Sequence, residues 1–182
     1  MEKEEKQKEY LIYAFLLSTL LIFIESLKTY FFNVNNYLIS FSIPFIPFVF
    51  LVTNIIKKKF GLKKSILSIF ISLFSTIIFI IVIAFAMKKQ LDFNVFIGEI
   101  ISYTISQLLN LFIFKVIESN KKDTYIIVFL SYIFSIILFH MIYTLSYLNT
   151  TILDGFWNRY IINISIETII CIPLSIIYKK IK

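Results

Sequence analysis

The fold depends on a basic stretch between two long apolar runs, Lys57-Lys58-Lys59-Phe60-Gly61-Leu62-Lys63-Lys64. Five of its eight residues are lysine, and Gly61 is suited to end a helix in a tight turn. Short loops rich in Lys and Arg remain on the cytoplasmic side of a membrane. The stretch therefore predicts a cytoplasmic connection between two membrane-spanning helices.

The composition of the whole chain agrees with this interpretation. The 182 residues are 59% hydrophobic, and the mean hydropathy is +0.87. A soluble core could not bury so much apolar surface. Each apolar run has about the 20 residues that a helix needs to cross roughly 30 Å of hydrocarbon, and the alternation of a membrane barrel is absent. We therefore predict an all-α integral membrane protein.

The distribution of charge sets the number of spans. We predict six spans in a single transmembrane domain over residues 1–182, after a polar cytoplasmic tail at residues 1–9. With six spans, fourteen of the eighteen Lys and Arg residues lie on one side, and only Lys28, Lys88, Lys89 and Arg159 lie on the other. Both termini are therefore predicted in the cytoplasm. The predicted spans are Leu11–Leu27, Tyr37–Ile56, Ser65–Met87, Val95–Ile117, Thr124–Tyr147 and Tyr160–Tyr178.

Charge and motif content exclude several classes of function. The net charge of +7 follows from the sorted loops and suits contact with anionic membrane lipids, so we expect no nucleic-acid binding. One cysteine, Cys171, allows neither an intramolecular disulfide nor a cysteine-based metal site. No zinc-protease motif, Ser–His–Asp set or phosphate-binding glycine loop is present, so we expect neither an enzyme nor a bound cofactor.

Two prolines interrupt the predicted second span. Pro44 and Pro47 remove two helical hydrogen-bond donors and must distort a helix that contains them. One interpretation is a tolerated kink. The other is a broken helix whose free carbonyl groups line a cavity, because irregular backbone at membrane depth needs cover from protein or water.

A polar stripe marks the predicted fourth span, and its side chains share one helical face. The stripe consists of Glu99, Tyr103, Ser106, Gln107 and Asn110. Such residues can join helices at roughly 0.6–2 kcal/mol per contact, and Ser106 alone fits that role. The stripe as a whole favours a face that lines a substrate path.

Further polar residues occur in the other spans. Asn163 and Glu167 lie one turn apart in the sixth span, and Glu167 falls near the centre of the bilayer. A carboxyl group there needs a partner or a proton-coupled role. We consider His140, the amides of the fourth span and a bound ligand as partners, although His140 most simply packs against a neighbour's backbone. Asn54 in the second span completes the candidate substrate-binding set.

Three segments of the chain, taken in combination, form a recognisable sequence pattern. Phe45–Asn54 contains Pro47 and several aromatic residues and is followed by the helix-ending Gly61. Ile101–Lys115 carries Gln107 and Asn110 ahead of an aromatic run. Ile172-Pro173 precedes a basic tail. In this combination the chain resembles the VUT-type membrane family, the queuosine-precursor transporters. The resemblance implies a bacterial multi-pass importer of the cytoplasmic (inner) membrane that takes up a 7-deazaguanine-type solute.

The chain also departs from the family pattern. Asn54 and Asn110 stand where the family has acids, and Ser135 and Asn163 replace an acid and a lysine, so the cavity keeps its shape while its charge pattern changes. If the solute is a 7-deazaguanine, the resemblance implies that Glu167 accepts its adjacent N–H groups. Gln107 and Asn110 would then read its carbonyl and ring nitrogens, and aromatic rings would cover its flat faces.

Two alternatives to a stand-alone importer remain open. One is the substrate-binding S component of an energy-coupling-factor transporter, which needs separate coupling subunits; Ala14 and Ser18 in span one would form the docking face. The other is a structural membrane scaffold without transport activity. A homo-oligomer is compatible with each of these readings.

Overall fold

We describe a computed structural model of the chain, which covers residues 2–34, 37–88, 93–118, 124–147 and 156–181. Six α-helices dominate these residues, with one short hairpin and one 3-10 turn (Ile43–Phe45) between the first two helices. The elements are α1 (Glu2–Leu27), β1 (Phe31–Val34), β2 (Tyr37–Ser40), α2 (Ile46–Phe60), α3 (Leu62–Ala86), α4 (Phe93–Glu118), α5 (Thr124–Tyr147) and α6 (Phe156–Lys180).

Five of the described helices are long and apolar enough to cross a membrane. They are α1, α3, α4, α5 and α6, and they match the first, third, fourth, fifth and sixth predicted spans to within a few residues, apart from α1, which also includes the polar tail. Their outer faces carry large apolar side chains that are more than half exposed, among them Phe15, Phe74, Phe85, Phe112 and Ile169. Soluble proteins rarely expose so extensive an apolar surface to water, whereas contact with lipid favours it. These helices indicate a multi-pass helical membrane protein.

The prediction of one continuous helix over Tyr37–Ile56 is wrong. Tyr37–Ser40 is a strand that pairs antiparallel with Phe31–Val34, with Phe31 opposite Ser40 and Val34 opposite Tyr37. The chain then passes through the 3-10 turn into α2, which has only 15 residues. The hairpin pairs backbone N–H and C=O groups that would otherwise have formed hydrogen bonds within a helix.

The two prolines explain where the helical backbone begins. Pro44 lies in the first turn of the 3-10 segment and Pro47 in the first turn of α2. In a first turn the missing N–H group costs nothing and the fixed φ angle favours the helix. The prolines therefore start helices here, and the interpretation as a kink within a span is wrong.

The helices pack as two groups of three. α1 packs against α2 and α3, which we call the N-terminal half, while α5 packs against α4 and α6, which we call the C-terminal half. α2 joins the halves because it also contacts all three helices of the C-terminal half. Every residue from Val49 to Ile56 is buried, as expected for a helix that is apolar on nearly all sides.

Both ends of the chain lie at one end of the bundle. Lys59 Nζ is 2.6 Å from the Glu9 carboxylate near the N-terminus, and Lys58 donates to the carbonyl of Ile181 near the C-terminus. Lysines there also cover aromatic rings: Lys57 Nζ is 3.9 Å from the centre of the Phe114 ring. We call this the basic end, defined by Lys57–Lys59, Lys63, Lys64, Lys179 and Lys180.

The small residues of α1 do not form an external docking face. Ala14 and Ser18 are 4% and 7% exposed, and the Ser18 hydroxyl donates to the Ala14 carbonyl of the same helix. The face at these positions is covered by neighbouring helices of the bundle. The prediction that they bind a coupling subunit is therefore wrong.

Gly61 alone separates α2 from α3, and its backbone explains why glycine occupies this position. Its φ and ψ angles are 85° and 169°, a region that is open essentially only to glycine. Its N–H group donates to the Lys57 carbonyl at 2.9 Å and closes α2. The prediction of a helix end at Gly61 is confirmed.

We expect Gly61→Ala to lower the free energy of unfolding by about 1–3 kcal/mol, the cost of holding a residue with a Cβ in this conformation. No atom lies within 4 Å of the added Cβ, so the effect isolates backbone strain. Denaturant titration in detergent measures it. Ser75→Ala is the control, because the hydroxyl of half-buried Ser75 forms a solvent-exposed hydrogen bond within its own helix. Equal stability of Gly61→Ala and the parent protein would contradict this explanation.

Candidate functional site

A cavity of about 470 Å³ lies between the two halves, at the end of the bundle opposite the basic end. Its walls come from the end of α1, the hairpin, the first turns of α2, and α4, α5 and α6. The volume falls in the range of small-molecule sites. Lys28 and Tyr143 mark its mouth, whereas Phe50, Gln107 and His140 lie deeper along their helices.

The deep wall presents polar atoms that the protein leaves unpaired. Gln107 is 1% exposed, and among the described residues neither its Nε2 nor its Oε1 has a hydrogen-bond partner. Oδ1 of Asn163, which also lines the cavity, is in the same condition. Buried polar groups are nearly always paired, so these atoms identify a place where a ligand or water completes the structure.

An ion cluster spans the mouth of the cavity. Lys28 Nζ lies 2.6 Å from the Glu25 carboxylate and 3.0 Å from that of Glu99, and the Tyr143 hydroxyl donates to Glu99 at 3.4 Å. Burial lowers the pKa of Lys28, but the charges of both glutamates outweigh burial and raise the pKa above its usual value. The cluster ties α1 to α4 and α5, and therefore joins the two halves.

Glu25 and Lys28 were not among the residues predicted for the site. Their spacing of three residues at the end of α1 is a sequence signal for an ion pair. The sequence did not show that Glu99, more than seventy positions further on, meets the same lysine. Ser40 and Ser42, whose hydroxyl oxygens lie 2.8 Å apart, also line the cavity and were missed, because the hairpin was not predicted.

His140 and Glu167 form a buried pair at the deep wall. His140 Nε2 is 2.8 Å from Glu167 Oε1, and the residues are 3% and 0% exposed. His140 lines the cavity, whereas Glu167 lies behind it and is not part of the lining. This geometry corrects the expectation that Glu167 binds the solute directly. The contact confirms His140 as the partner of Glu167, one of the partners considered from the sequence, and not a residue packed only against a neighbour's backbone.

Asn54 and Asn110 were predicted to bind substrate, but the structure pairs them with each other away from the cavity lining. Asn54 Nδ2 donates to Asn110 Oδ1 at 3.3 Å, and Asn110 Nδ2 donates to Asn54 Oδ1 at 3.0 Å. Both residues are fully buried, and neither lines the cavity. This reciprocal pair uses the donors and acceptors that a solute would need, and it joins α2 to α4 on the side toward the basic end.

The remaining residues of the fourth-span stripe line the cavity. Glu99, Tyr103, Ser106 and Gln107 all contribute to its wall. The Tyr103 hydroxyl lies 2.9 Å from that of Ser72 on α3, so Tyr103 also bridges the halves. Four residues of the stripe therefore line the cavity, whereas Asn110 joins α4 to α2.

The fold and cavity define a class, a multi-pass helical membrane protein with an internal cavity whose mainly apolar wall carries several polar side chains. The chain matches no protein-family model, no curated protein and no solved structure.

A double-mutant cycle tests the Asn54–Asn110 pair. We expect Asn54→Ala and Asn110→Ala each to lower the free energy of unfolding by about 1–3 kcal/mol, because each leaves a buried amide unpaired. The double variant should lose clearly less than the sum. Denaturant titration in detergent measures all three, with Ser135→Ala as the control, since its hydroxyl donates within its own helix. Additive losses would show that the amides act independently.

Proposed function

We propose that the protein is a small-solute uptake transporter of the cytoplasmic membrane. The observation that carries the proposal is the unpaired, buried amide of Gln107 in a cavity of about 470 Å³. A protein does not ordinarily leave both ends of a buried amide without partners. A bound polar solute would supply them.

The direction of uptake rests on the distribution of charge. If the lysine-rich end obeys the positive-inside rule, both termini are cytoplasmic and the cavity opens outside. The hairpin and α2 then act together as the second of six crossings, since α2 begins at the cavity end and finishes at the basic end. A solute would enter between α1, α4 and α5.

The proposed solute is flat and polar, most simply a queuosine precursor of the 7-deazaguanine type. Gln107 offers a donor and an acceptor, and Asn163 Oδ1 offers a further acceptor. A nucleobase edge carries N–H and carbonyl groups side by side and can satisfy both kinds of partner. The rings of Phe50 and Phe139 also line the cavity and would cover its faces.

The assignment of roles differs from the one that the family resemblance implies. Gln107, Asn163 and His140 contact the solute, while Glu167 acts behind His140 and Asn110 holds α2. The VUT-type resemblance supports the solute class. The shift of contacts from acids to amides favours a solute other than the ordinary family substrate, or the same solute held differently.

An S component of an energy-coupling-factor transporter is the second candidate, because it would use the same cavity for capture. Its docking surface would have to be other than Ala14 and Ser18; the exposed Phe15 belongs to an available apolar face of α1. Purification from its own host separates the candidates, since an S component brings ATPase subunits with it.

A scaffold without transport activity would satisfy its polar side chains from helix to helix. The Asn54–Asn110 pair fits that description, and Gln107 does not. Uptake of labelled 7-deazaguanine into cells that lack their own importer distinguishes the two. Uptake that depends on the protein supports transport, and uptake equal to that of cells without the protein favours the scaffold.

We expect Gln107→Leu to leave the ligand-free melting temperature equal or higher, because the amide it removes has no described partner. The same variant should lose the rise in melting temperature that a binding solute gives. A panel of deazapurines, purines and vitamins supplies the solutes. Thr104→Val on the same helix is the control, since Thr104 donates to the Ile100 carbonyl and does not line the cavity. Equal ligand-induced shifts in Gln107→Leu and Thr104→Val would reject this site.

A further inference from the structure

The His140–Glu167 pair has a feature that solute recognition alone does not use. Glu167 is fully buried and in contact with an imidazole through Oε1, while its Oε2 has no described hydrogen-bond partner. Glu167 lies at the twelfth of the 25 positions of α6, which is about 16 Å from the start of that helix. An acid and a base are therefore in direct contact deep in the bundle.

The cavity gives this pair a route to solution. His140 lines the cavity, so water that enters at the mouth reaches the imidazole, and the imidazole touches the carboxyl group. A proton can then pass from cavity water to His140, and from His140 Nε2 to Glu167 Oε1 across a contact of 2.8 Å. Ionisable residues at membrane depth characteristically serve such proton relays.

The charge of the pair depends on how many protons it holds. A neutral imidazole already carries one N–H proton; with one further proton, held by either the imidazole or the carboxyl group, the pair is neutral overall. Loss of that proton leaves a net negative charge in a medium of low dielectric constant, and a second proton leaves a net positive charge. Both states cost free energy when water is excluded, and the two groups titrate as one unit.

Other titratable side chains line the same cavity or lie on the helices packed against the pair. Those described are Tyr160 and Cys171 on α6, Tyr132 and Tyr143 on α5, Glu99 and Tyr103 on α4, and Glu25 and Lys28 at the end of α1. Arg159 lies two turns nearer the mouth than Glu167 on α6. The part of α2 that lines the cavity, Ile46, Val49 and Phe50, has no ionisable group. Lys28 pairs with Glu25 and Glu99 at the mouth, whereas His140 and Glu167 are in contact at the deep wall.

We propose that the His140–Glu167 pair is a proton-binding site through which solute uptake is coupled to the transmembrane proton gradient. The inference rests on the proposed transport function. A solute against Gln107 excludes water from the neighbouring His140, so it binds best when the pair holds one proton and is neutral. Solute and proton are then bound together from outside and released together inside, one proton for each solute molecule. The linkage is reciprocal, since the solute also strengthens proton binding.

Proteoliposomes test the coupling with labelled 7-deazaguanine as the probe and the membrane potential held at zero. With the exterior one pH unit more acidic, we expect up to ~tenfold accumulation of this neutral solute, because one proton moves with each molecule. Glu167→Gln, which changes a residue behind the cavity lining, should bind the probe yet fail to accumulate it. Ser175→Ala is the control, because this buried α6 residue bonds only within its helix among the described contacts. Uptake of equal size with and without the gradient would overturn the coupling and leave the transport function standing.

Infrared spectroscopy tests the proton site without any solute. A pH change applied to the reconstituted protein should change the C=O stretching band of a protonated carboxyl group, and Glu167→Gln should remove that change. Glu167→Gln keeps the size of the side chain and a hydrogen bond to His140, so it should remain folded; its melting temperature verifies this. Absence of a Glu167-dependent band change overturns the proton site. Absence of uptake or binding for every solute overturns the proposed function and the coupling with it, while a band change would still identify a proton-binding pair.

Discussion

The length of α2 constrains the rest of the structure. Its 15 residues extend about 22 Å, which is short of the roughly 30 Å of hydrocarbon that a spanning helix must cross. If the hairpin and α2 together form the proposed second crossing, the backbone before α2 must find its hydrogen bonds inside the protein, because lipid offers none. The hairpin and the 3-10 turn supply these hydrogen bonds. At the cavity end of the bundle, both segments lie between the two halves. The cavity occupies the space between the halves.

The polar side chains between the halves are paired at one end of the bundle and partly unpaired at the other. Toward the basic end the halves are joined by contacts that are complete within the protein, namely the reciprocal amides of Asn54 and Asn110 and the lysine–aromatic pairs around Lys57. Toward the cavity, Gln107 and Asn163 keep unpaired atoms. The lysine of the mouth, Lys28, bridges the halves through partly exposed ion pairs, which are weaker and more easily exchanged than buried amides. The polar contacts between the halves are therefore complete at the basic end and incomplete around the cavity.

The sequence predicted the parts of this structure that depend on local patterns. Long apolar runs and Gly61 located five helices and the turn between α2 and α3, and the helical spacing of the α4 stripe identified Gln107. The hairpin was missed because a short apolar run such as Tyr37–Ser40 fits a strand or a helix equally well. The Asn54–Asn110 pair, the Lys28 cluster and the place of Glu167 behind His140 were missed for another reason: each depends on which helices become neighbours, and no local pattern encodes that.

Gln107 lines the cavity, and the proposed uptake requires this cavity to open on the side away from both termini. Gln107→Cys in a Cys171→Ser background tests it with a membrane-impermeant maleimide added to intact cells. The account predicts labelling of Gln107→Cys from outside and none of Asn110→Cys, which lies one turn further in and does not line the cavity. Failure of Gln107→Cys to react from outside, or reaction only when the reagent reaches the cytoplasmic face, would contradict it.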